Sequence, residues 1–546
     1  MTADARQTTR VSDTLATGLP KRILFLLHYP GYLRYFDSIV RLLAEQRHHI
    51  DVLFDSPHKQ AEGLKALDGA RGDILVRDRA PVRRDVWGPV GRAVRGTLDY
   101  ARYLDPRMAD APYLRDRMRN AVPPIFRFLT RYDTLSAGTT RRLIRFFSMC
   151  ERAIPSSRAI ERYLARLKPD LLVVSPLVTD RSPQVNYVKG AKALGIRTAL
   201  CVGSWDHLTT KGLMRVQPDL VAVWNDRQKQ EAEEFQDVDP VRICVTGAHP
   251  WDRWFDRDPS SSRAAFCARV GLRSNMPFVM FAGSTASISA PDAEVTFVRA
   301  WIRAVRQTGS RQLRDIGLLI RPHPYNSAHW RGVDLSGVEN AAIFPRDSAN
   351  PVDERDRKDY FDSLHHSAAV VGINTSAMIE AAIVGRPILS VLDSSFSETQ
   401  TGTLHFRYLL PDNGGCLQTA TSLGDHVKQL ADAVVSPDRH RELTRAFVRT
   451  FVRPHGLDVA GTPVLASALA RLASRGCSAP ERMPIRLYPL RFAMWGLGCL
   501  VVYSDLDRLQ RRVRKAVSEQ RRRFRHFVKR RHKARKARAR AREKAA

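Results

Sequence analysis

Short apolar runs alternate with helix-period segments along most of this chain. Residues 22–28 form the first run, residues 33–43 carry apolar side chains at helical spacing, and residues 50–54 form a second run. A strand, a helix and a strand in this order predict a parallel pair joined by a right-handed crossover. The alternation resumes over residues 171–246, so we expect one complete doubly wound α/β domain in this half of the chain.

A second series of apolar runs begins after residue 275. It predicts a further doubly wound domain, so the expected fold class is α/β with two tandem Rossmann-like domains. The predicted strands are 278–282, 317–320, 341–344, 369–372 and 388–392, and the predicted helices between them are 292–307, 360–366 and 375–384. Two such domains leave a cleft between their facing carboxyl edges, where small-molecule sites preferentially lie.

Three stretches depart from this alternation. Residues 77–167 are Arg-rich, helical in period and broken by prolines, which indicates a helical insertion in the first domain. Residues 459–473 are predicted to form a helix that packs back across both domains. The expected organisation is a disordered N-terminus at 1–20, domains at 21–252 and 253–475, and an amphipathic segment with a basic helical tail at 476–546.

The formal net charge of +32 is concentrated at the C-terminus, where residues 509–546 hold 18 Lys and Arg against 2 Asp and Glu. Residues 487–503, just before this tail, are apolar with aromatic and Arg edges. The combination predicts that residues 487–546 lie on an anionic membrane surface. A packed helix with a solvated tail is an alternative, and nucleic acid is the least favoured partner.

Targeting signals are weak in this sequence. Residues 1–20 lack the apolar core of a signal peptide, and the seven cysteines are scattered in a way that fits a reducing compartment. The uncharged run just before the basic tail, residues 492–504, has 13 residues. A spanning helix needs about 20 residues. We therefore expect a cytoplasmic protein that is peripherally associated with the inner face of the cell membrane.

The candidate site chemistry is concentrated between residues 316 and 389, where polar motifs follow two predicted strands. One strand ends in Arg-Pro-His-Pro at 321–324, and another ends in Asn-Thr-Ser at 374–376. The helix after the second turn is apolar almost all round and carries a single acid, Glu380. Turns at the carboxyl ends of parallel strands and the helix N-termini after them bind nucleotides in open sheets. This stretch predicts the nucleotide-binding half of an enzyme, although hydroxyls at 375 and 376 would also serve as helix caps.

With two Rossmann-like domains around them, the RPHP and NTSAMIEAAIVGRP motifs resemble those of the GT-B superfamily of glycosyltransferases. The likeness covers residues 21–475 and points to bacterial surface-polysaccharide enzymes, CDP-glycerol glycerophosphotransferases and Kdo transferases. It implies an inverting, metal-independent transferase that needs no cofactor. Such an enzyme moves a sugar or phosphoalcohol from a nucleotide donor to a cell-envelope glycan or a lipid-linked acceptor. A nucleotide-sugar epimerase of the same fold and a nonenzymatic basic scaffold for RNA or membrane are the alternatives.

The resemblance also implies roles for individual residues. His323 would approach the nucleotide phosphates, the turn at Thr375 and Ser376 would bind phosphate, and Glu380 would bind the ribose. The full set of expected donor-nucleotide residues is Gly283, Ser284, Thr285, Arg321, His323, Asn374, Thr375, Ser376 and Glu380. The hydroxyl-rich residues 393–405 lie where related enzymes contact the donor sugar, so the residues expected there are Glu398, Gln400 and His405.

The N-terminal domain is expected to bind the acceptor and to supply the general base, because inverting transfer requires a group that deprotonates the acceptor hydroxyl. His28 ends the first predicted strand and would face the cleft. Asp206 and His207, in the turn at 203–209, are the second choice. Residues 247–252 are interpreted as a hinge turn, and no Asp-x-Asp motif predicts a metal site.

Overall fold

The computed structural model describes residues 19–58, 61–180, 182–347, 351, 353–503 and 518. The strands of the N-terminal domain are β1 (Arg22–Leu27), β2 (His49–Phe54), β3 (Ile74–Val76), β4 (Leu171–Ser175), β5 (Arg197–Cys201), β6 (Leu220–Val223) and β7 (Ile243–Val245). Those of the C-terminal domain are β8 (Phe278–Ala282), β9 (Gly317–Arg321), β10 (Ala341–Ile343), β11 (Ala369–Gly372), β12 (Ile388–Val391) and β13 (Leu417–Ala420).

Nineteen α-helices are described, together with several short 3-10 helices. The helices up to the domain crossing are α1 (Leu33–Glu45), α2 (Trp87–Arg102), α3 (Pro112–Met118), α4 (Ala137–Ala153), α5 (Arg158–Leu167), α6 (Gln184–Ala193), α7 (His207–Thr210), α8 (Asp226–Gln236) and α9 (Asp252–Phe255). The remainder are α10 (Arg263–Val270), α11 (Pro291–Arg306), α12 (Arg311–Arg314), α13 (Glu354–His365), α14 (Ala377–Ile383), α15 (Leu404–Arg407), α16 (Leu423–Val435), α17 (Pro437–Phe447), α18 (Gly461–Ser474) and α19 (Tyr488–Tyr503).

The N-terminal sheet has the strand order β3-β2-β1-β4-β5-β6-β7, and its strands pair in parallel. The order reverses between β1 and β4, which is the topological switch point of a Rossmann-like sheet. Side chains of alternating strand positions enter two cores, one beneath α1 and α18 and the other beneath α5 and α6. Parallel strands covered on both faces must be apolar throughout, and β4 is buried at all of its positions.

The C-terminal sheet repeats this arrangement, with the order β10-β9-β8-β11-β12-β13 and its own switch point between β8 and β11. Helices α11 and α16 cover one face, and α10, α14 and α17 cover the other. The predicted α/β class with two tandem Rossmann-like domains is therefore confirmed. Strands β3 and β13 were missing from the prediction. Strand β3 has three residues and is partly exposed to solvent, and β13 carries the polar residues Gln418 and Thr419.

The predicted helical insertion is present between β3 and β4. Its helices α2 and α4 pack against each other around Arg95, whose guanidinium forms a bidentate ion pair with Glu151 at 2.9 Å. Helix α5, at the end of the predicted insertion, instead packs on α6 and belongs to the Rossmann-like core. Helix α19 lies against α2 and α4, so the residues after 476 add to the insertion.

The chain crosses between the domains twice, and the two crossings touch. The backbone N–H of Ala248 donates to the carbonyl of Val452 at 2.9 Å. The Asp252 carboxylate accepts from the N–H groups of Gly461 at 3.0 Å and Thr462 at 2.6 Å, which caps the start of α18. Helix α18 then packs in the core of the N-terminal domain. Residues of the predicted range 253–475 therefore also contribute to the first domain.

Two regions of the prediction fall largely outside the described residues. These are the expected disordered N-terminus at 1–20, of which residues 19 and 20 are described, and the basic tail after residue 503, of which residue 518 is described. Within the described ranges, no helix is both long enough and apolar enough to cross a membrane.

Candidate active site

A cavity of about 240 Å³ lies between the carboxyl edges of the two sheets. Both domains line it, and the charged side chains on its wall are five arginines against two carboxylates. They are Arg34, Asp37, Arg253, Arg257, Arg321, Arg357 and Glu380. Asp37 is already paired with Arg253, whose Nη1 lies 2.7 Å from Oδ2. The remaining positive charge, held in a partly desolvated cleft, favours an anionic ligand.

The loops at the C-terminal switch point are packed into a rigid base for the cavity. Gly283 lies so close to β9 that an added Cβ would stand 2.8 Å from the His323 nitrogen, and its N–H donates to the Arg321 carbonyl at 2.9 Å. Ser284 is fully buried, and its Oγ donates to the Asn374 carbonyl at 3.2 Å. The Asn374 amide donates to the Thr399 carbonyl. Ser284 and Asn374 thus use their polar groups to build the loops, and Gly283 permits the close approach while lining the cavity.

His323 projects from the Arg-Pro-His-Pro turn into the cavity wall. Its Nδ1 accepts from the N–H of Tyr325 at 3.1 Å, because the proline at 324 begins a short 3-10 turn that His323 caps. Burial, with Arg34 nearby, lowers its pKa to about 4. The ring is therefore neutral near pH 7, with the proton on Nε2 and available as a hydrogen-bond donor to a ligand.

Glu380 is oriented from both domains. The Tyr360 hydroxyl donates to its Oε2, and Nε1 of Trp251, from the other domain, donates to Oε1 at 3.2 Å. Burial raises the pKa of the Glu380 carboxyl, against the lowering effect of these two hydrogen bonds. The Arg321 guanidinium lies 4.9 Å from the centre of the Tyr360 ring, and burial lowers its pKa to about 10. A carboxylate has about four lone-pair sites, so Glu380 keeps capacity for ligand hydroxyls.

The hydroxyl turn before α14 is split between structure and cavity. Thr375 lines the cavity, and its hydroxyl accepts from the N–H of Ala377 at 3.4 Å. Ser376 makes no capping bond, is exposed and lines the cavity. Thr285 shares a hydrogen bond of 2.8 Å with Ser287 and is not among the residues of the cavity wall.

The three expected donor-sugar residues do not converge on the cavity wall. Glu398 is exposed on the loop after β12. Gln400 is fully buried, and its amide nitrogen donates to the Val391 carbonyl at 2.9 Å and to two further acceptors in the strand ends. His405 is buried edge-on against Trp205 at 4.8 Å, and burial lowers its pKa to about 4. Gln400 has a structural role, and His405 packs between the domains.

At the N-terminal switch point, His28 forms a dyad with Asp55. The strands β1 and β2 end side by side, so the two residues that follow them meet at 2.6 Å between Nδ1 and Oδ1. Gln184, at the start of α6, donates to Oδ2 of Asp55 at 3.2 Å and to the carbonyl of Ser175 in β4 at 2.9 Å. The Asp55 carboxylate is thereby fixed relative to a third strand. The His28 side chain is 28% exposed, and its Nε2 has no hydrogen-bond partner among the described residues. This is the geometry of an oriented general base.

The alternative pair, Asp206 and His207, is less suited than His28 to act as a general base. Burial opposes ionisation of Asp206, but Lys211 and His207 hold its pKa well below the usual range, and Ser204 and Thr210 donate to its carboxylate. Burial lowers the pKa of His207 to about 4. The cavity wall instead uses Gly203, Ser204 and Trp205 from the same turn.

Several site residues were missed by sequence reasoning. Asp55 could have been found, because the predicted strand-helix-strand unit places the residues after two neighbouring strands together. Trp251 lies in the predicted hinge turn but reaches Glu380, and Tyr360 lies in a helix whose start was predicted six residues too late. Arg34 at the start of α1 carried no local signal. Its guanidinium stacks over the Tyr35 ring at 4.5 Å on the cavity wall.

Among the described residues, no group of three or more His, Cys, Asp or Glu side chains is arranged to hold a metal ion.

No protein-family model matches the chain, and no curated protein matches it either. Solved structures do match. A glycosyltransferase from Rickettsia africae is 11% identical with a TM-score of 0.46, covering 83% of this chain and 98% of its own. A UDP-N-acetylglucosamine 2-epimerase described from Listeria monocytogenes is 14% identical with a TM-score of 0.48, covering 85% and 100%. The wall teichoic acid polymerase TagF is 13% identical with a TM-score of 0.42, covering 84% and 89%.

Proposed function

We propose that this protein is a transferase that takes a nucleotide-activated sugar or phosphoalcohol and passes it to a hydroxyl acceptor of the cell envelope. The observation that carries the proposal is Glu380, which is held by Tyr360 and by Trp251 from the other domain at the edge of a cavity rich in arginine. An oriented acid suits the ribose hydroxyls, and the surrounding cations suit a diphosphate.

The nucleotide is proposed to lie along the C-terminal edge. Glu380 accepts from the ribose hydroxyls, while Arg321 and the Nε2–H of His323 face the phosphates. Ser376 and its backbone add donors on the same wall. The aromatic pair Trp254 and Phe361, with ring centres 5.5 Å apart, supplies an apolar surface for the base.

Transfer itself is proposed to use the dyad of the N-terminal edge. His28 Nε2 removes the proton of the acceptor hydroxyl as its oxygen attacks the anomeric carbon or the phosphorus of the donor, and the bond to the nucleotide breaks with its electrons on the leaving phosphate. Asp55 keeps the proton on Nδ1 and stabilises the imidazolium that forms. The arginines of the cavity stabilise the charge on the departing nucleotide. This route needs neither metal nor cofactor and inverts the reacting centre.

A nucleotide-sugar epimerase is the second candidate. Contacts that bridge the two domains favour it, since Trp251 binds Glu380 and the phenols of Tyr29 and Tyr325 are hydrogen-bonded to each other. A cleft tied together in this way suits a reaction on one enclosed substrate.

Product analysis separates the candidates. The protein is incubated with a panel of nucleotide sugars and with CDP-glycerol, with and without a membrane-lipid extract as acceptor. Transfer predicts free nucleotide and a modified acceptor, and only when the extract is present. An isomerised nucleotide sugar formed without acceptor would establish epimerisation instead. A nonenzymatic scaffold would give neither product, and Glu380→Ala would leave its nucleotide binding unchanged.

A further inference from the structure

Three neighbouring elements of the insertion side expose apolar and basic side chains together. They are the 3-10 helix of residues 124–131, helix α4 and helix α19, which we name the basic-apolar surface. Helix α19 packs on α4, and the ring of Phe126 lies 5.0 Å from that of Phe147 on α4. The three elements are therefore packed next to one another.

Helix α19 is apolar on its outer side as well as its inner side. Leu487, just before it, and Met494 are buried against α2 and α4. On the outer side Phe492 is 68% exposed, Trp495 51% and Leu500 68%. Up to residue 501, its one charged residue is Arg491, and Nε of that side chain donates to the Ala153 carbonyl at 2.8 Å. Helices with polar solvent faces are the rule for water-exposed surfaces, so this outer face requires a partner that accepts apolar groups.

The other two elements add positive charge to exposed apolar groups. Helix α4 exposes Phe146 and Met149 beside Arg141, Arg142, Arg145 and Arg152. Its one acid, Glu151, is buried and paired with Arg95. Residues 124–131 expose Ile125 and Phe128 beside two further arginines. Asp133, in the loop between the two elements, is paired with Arg115 at 2.9 Å. The face therefore carries an excess of cations.

We propose that the basic-apolar surface docks on an anionic lipid bilayer. Its aromatic and aliphatic side chains enter the headgroup region, and its arginines pair with lipid phosphates. The segment 509–546, with 18 basic and 2 acidic residues, follows α19 in the sequence and adds charge of the same sign. RNA would use the charge and leave the apolar groups in water, and a protein partner would need polar complementarity that a face without free acids does not offer. The bilayer uses both features.

The docked face is connected rigidly to the cleft. Arg102 of α2 donates to the Lys211 carbonyl at 3.1 Å and the Gly212 carbonyl at 3.2 Å, which holds the turn after Asp206. On the other side of the insertion, the Tyr113 hydroxyl donates to the Ser287 carbonyl of the C-terminal domain at 2.8 Å. Docking would thus fix the cleft relative to the bilayer. This inference does not depend on the proposed reaction.

The test uses the full-length protein and sedimentation with vesicles of phosphatidylglycerol and phosphatidylcholine, against vesicles of phosphatidylcholine alone. The wild type is expected to prefer the anionic vesicles. The double substitution Phe492→Ser/Trp495→Ser leaves the basic tail intact, and we expect its partition coefficient to fall by about tenfold or more, since two large apolar groups lose their burial. Charge reversal by Arg142→Glu/Arg145→Glu should lower binding to anionic vesicles and leave the phosphatidylcholine background unchanged.

A matched control is available, because Val241 and Val435 are 84% and 63% exposed in regions away from this face. The pair Val241→Ser/Val435→Ser should bind vesicles like the wild type. If the first apolar variant is unfolded by circular dichroism, Leu500→Ser/Val501→Ser replaces it. Unchanged vesicle binding by a folded apolar variant overturns the proposal. So does a wild-type dimer that the same variant dissociates in sedimentation velocity, or binding to poly(U) RNA in place of vesicles.

Discussion

The two α/β domains have corresponding strand orders and present different chemistry at their carboxyl edges. After β1 and β2, a histidine and an aspartate follow adjacent strands and leave an imidazole nitrogen free among the described residues. Between β8 and β11, the Ser284 hydroxyl donates to the Asn374 carbonyl, and the Asn374 amide donates to the Thr399 carbonyl. Topology determines where the loops converge, and the few residues after each strand determine whether the side chains there stay available to a ligand or bond to one another.

The hydrogen bonds within the loops of the C-terminal edge have a further consequence for ligand binding. Because its innermost loops are filled, the groups that face the cavity come from the next layer, namely His323, Arg321 and Glu380. At the N-terminal edge, the cavity wall uses Arg34 and the turn at 203–205, whereas His28 and Asp55 are not among its residues. The ring centre of Tyr32 lies 5.9 Å from that of His28. We therefore expect substitutions at the two edges to separate turnover from donor affinity.

The largest effect is expected for His28→Ala. Removing the base should lower kcat by about 10²- to 10⁴-fold with donor affinity unchanged, because the C-terminal edge is intact. Stopped assays of turnover and calorimetry with the donor nucleotide measure the two quantities. Asp55→Asn should lower kcat by about 10- to 100-fold and distort its pH profile, since the orienting carboxylate is lost. Full turnover by His28→Ala would remove the dyad from the mechanism.

Glu380→Ala tests the opposite edge. It should weaken nucleotide binding by about tenfold or more, because a charged hydrogen-bond acceptor is removed and Tyr360 and Trp251 lose their partner. Isothermal calorimetry with the free nucleotide measures the change. Glu398→Ala is the matched control, since that acid is exposed and off the cavity wall. Equal affinities for both variants would place the ribose elsewhere.

Gly283→Ala tests whether the loop after β8 and the Arg-Pro-His-Pro turn are packed rigidly. The new Cβ would stand 2.8 Å from the backbone nitrogen of His323, so the Arg-Pro-His-Pro turn must shift. We expect a loss of about 1–3 kcal/mol in the free energy of unfolding and a weaker donor affinity. Chemical denaturation and calorimetry report both. Gly309→Ala, at a position with open space around its Cβ, should change neither.

The smallest effect concerns stability at acid pH, because each domain contains a buried neutral histidine. Burial lowers the pKa of His249 to about 3 and that of His426 to about 4, from 6.5. The stability from neutral burial is complete above 6.5 and is lost as the pH falls toward the folded values. Melting temperatures should therefore fall from about pH 7 to about pH 5. His426→Gln should reduce this fall by about 2 °C, while His58→Gln, at an exposed position, should leave it unchanged.

Much of the fold could be predicted from the sequence because buried parallel strands are apolar throughout and helices carry a longer period. Eleven of the strands in the described ranges were anticipated. Strand β3 was missed because its apolar run has only three residues, and β13 because Gln418 and Thr419 interrupt its apolar pattern. The site was harder, since it depends on which residues meet across the cleft. His323 and Glu380 could be found from their motifs, but Trp251 and Tyr360 acquire their roles through contacts between distant parts of the chain.

Residues with similar sequence contexts also differ in burial and in whether they face the cavity. Gln400 and Glu398 share one polar loop, yet the first is fully buried and the second is exposed. Ser284 and Ser376 both follow a strand, but only Ser376 faces the cavity. Composition indicates that a loop is polar, and only packing decides which of its groups are used internally.

The paired crossings between the domains restrict how the cleft can open. Ala248 is bonded to Val452, and Asp252 is bonded to Gly461, so the two connections behave as one pivot. A single pivot permits rotation of one domain about it and resists sliding of one domain along the other. Trp251 lies within this pivot, so its distance to Glu380 changes least when the mouth widens. In the proposed transferase, an acceptor could then enter the cleft while the donor nucleotide stays bound.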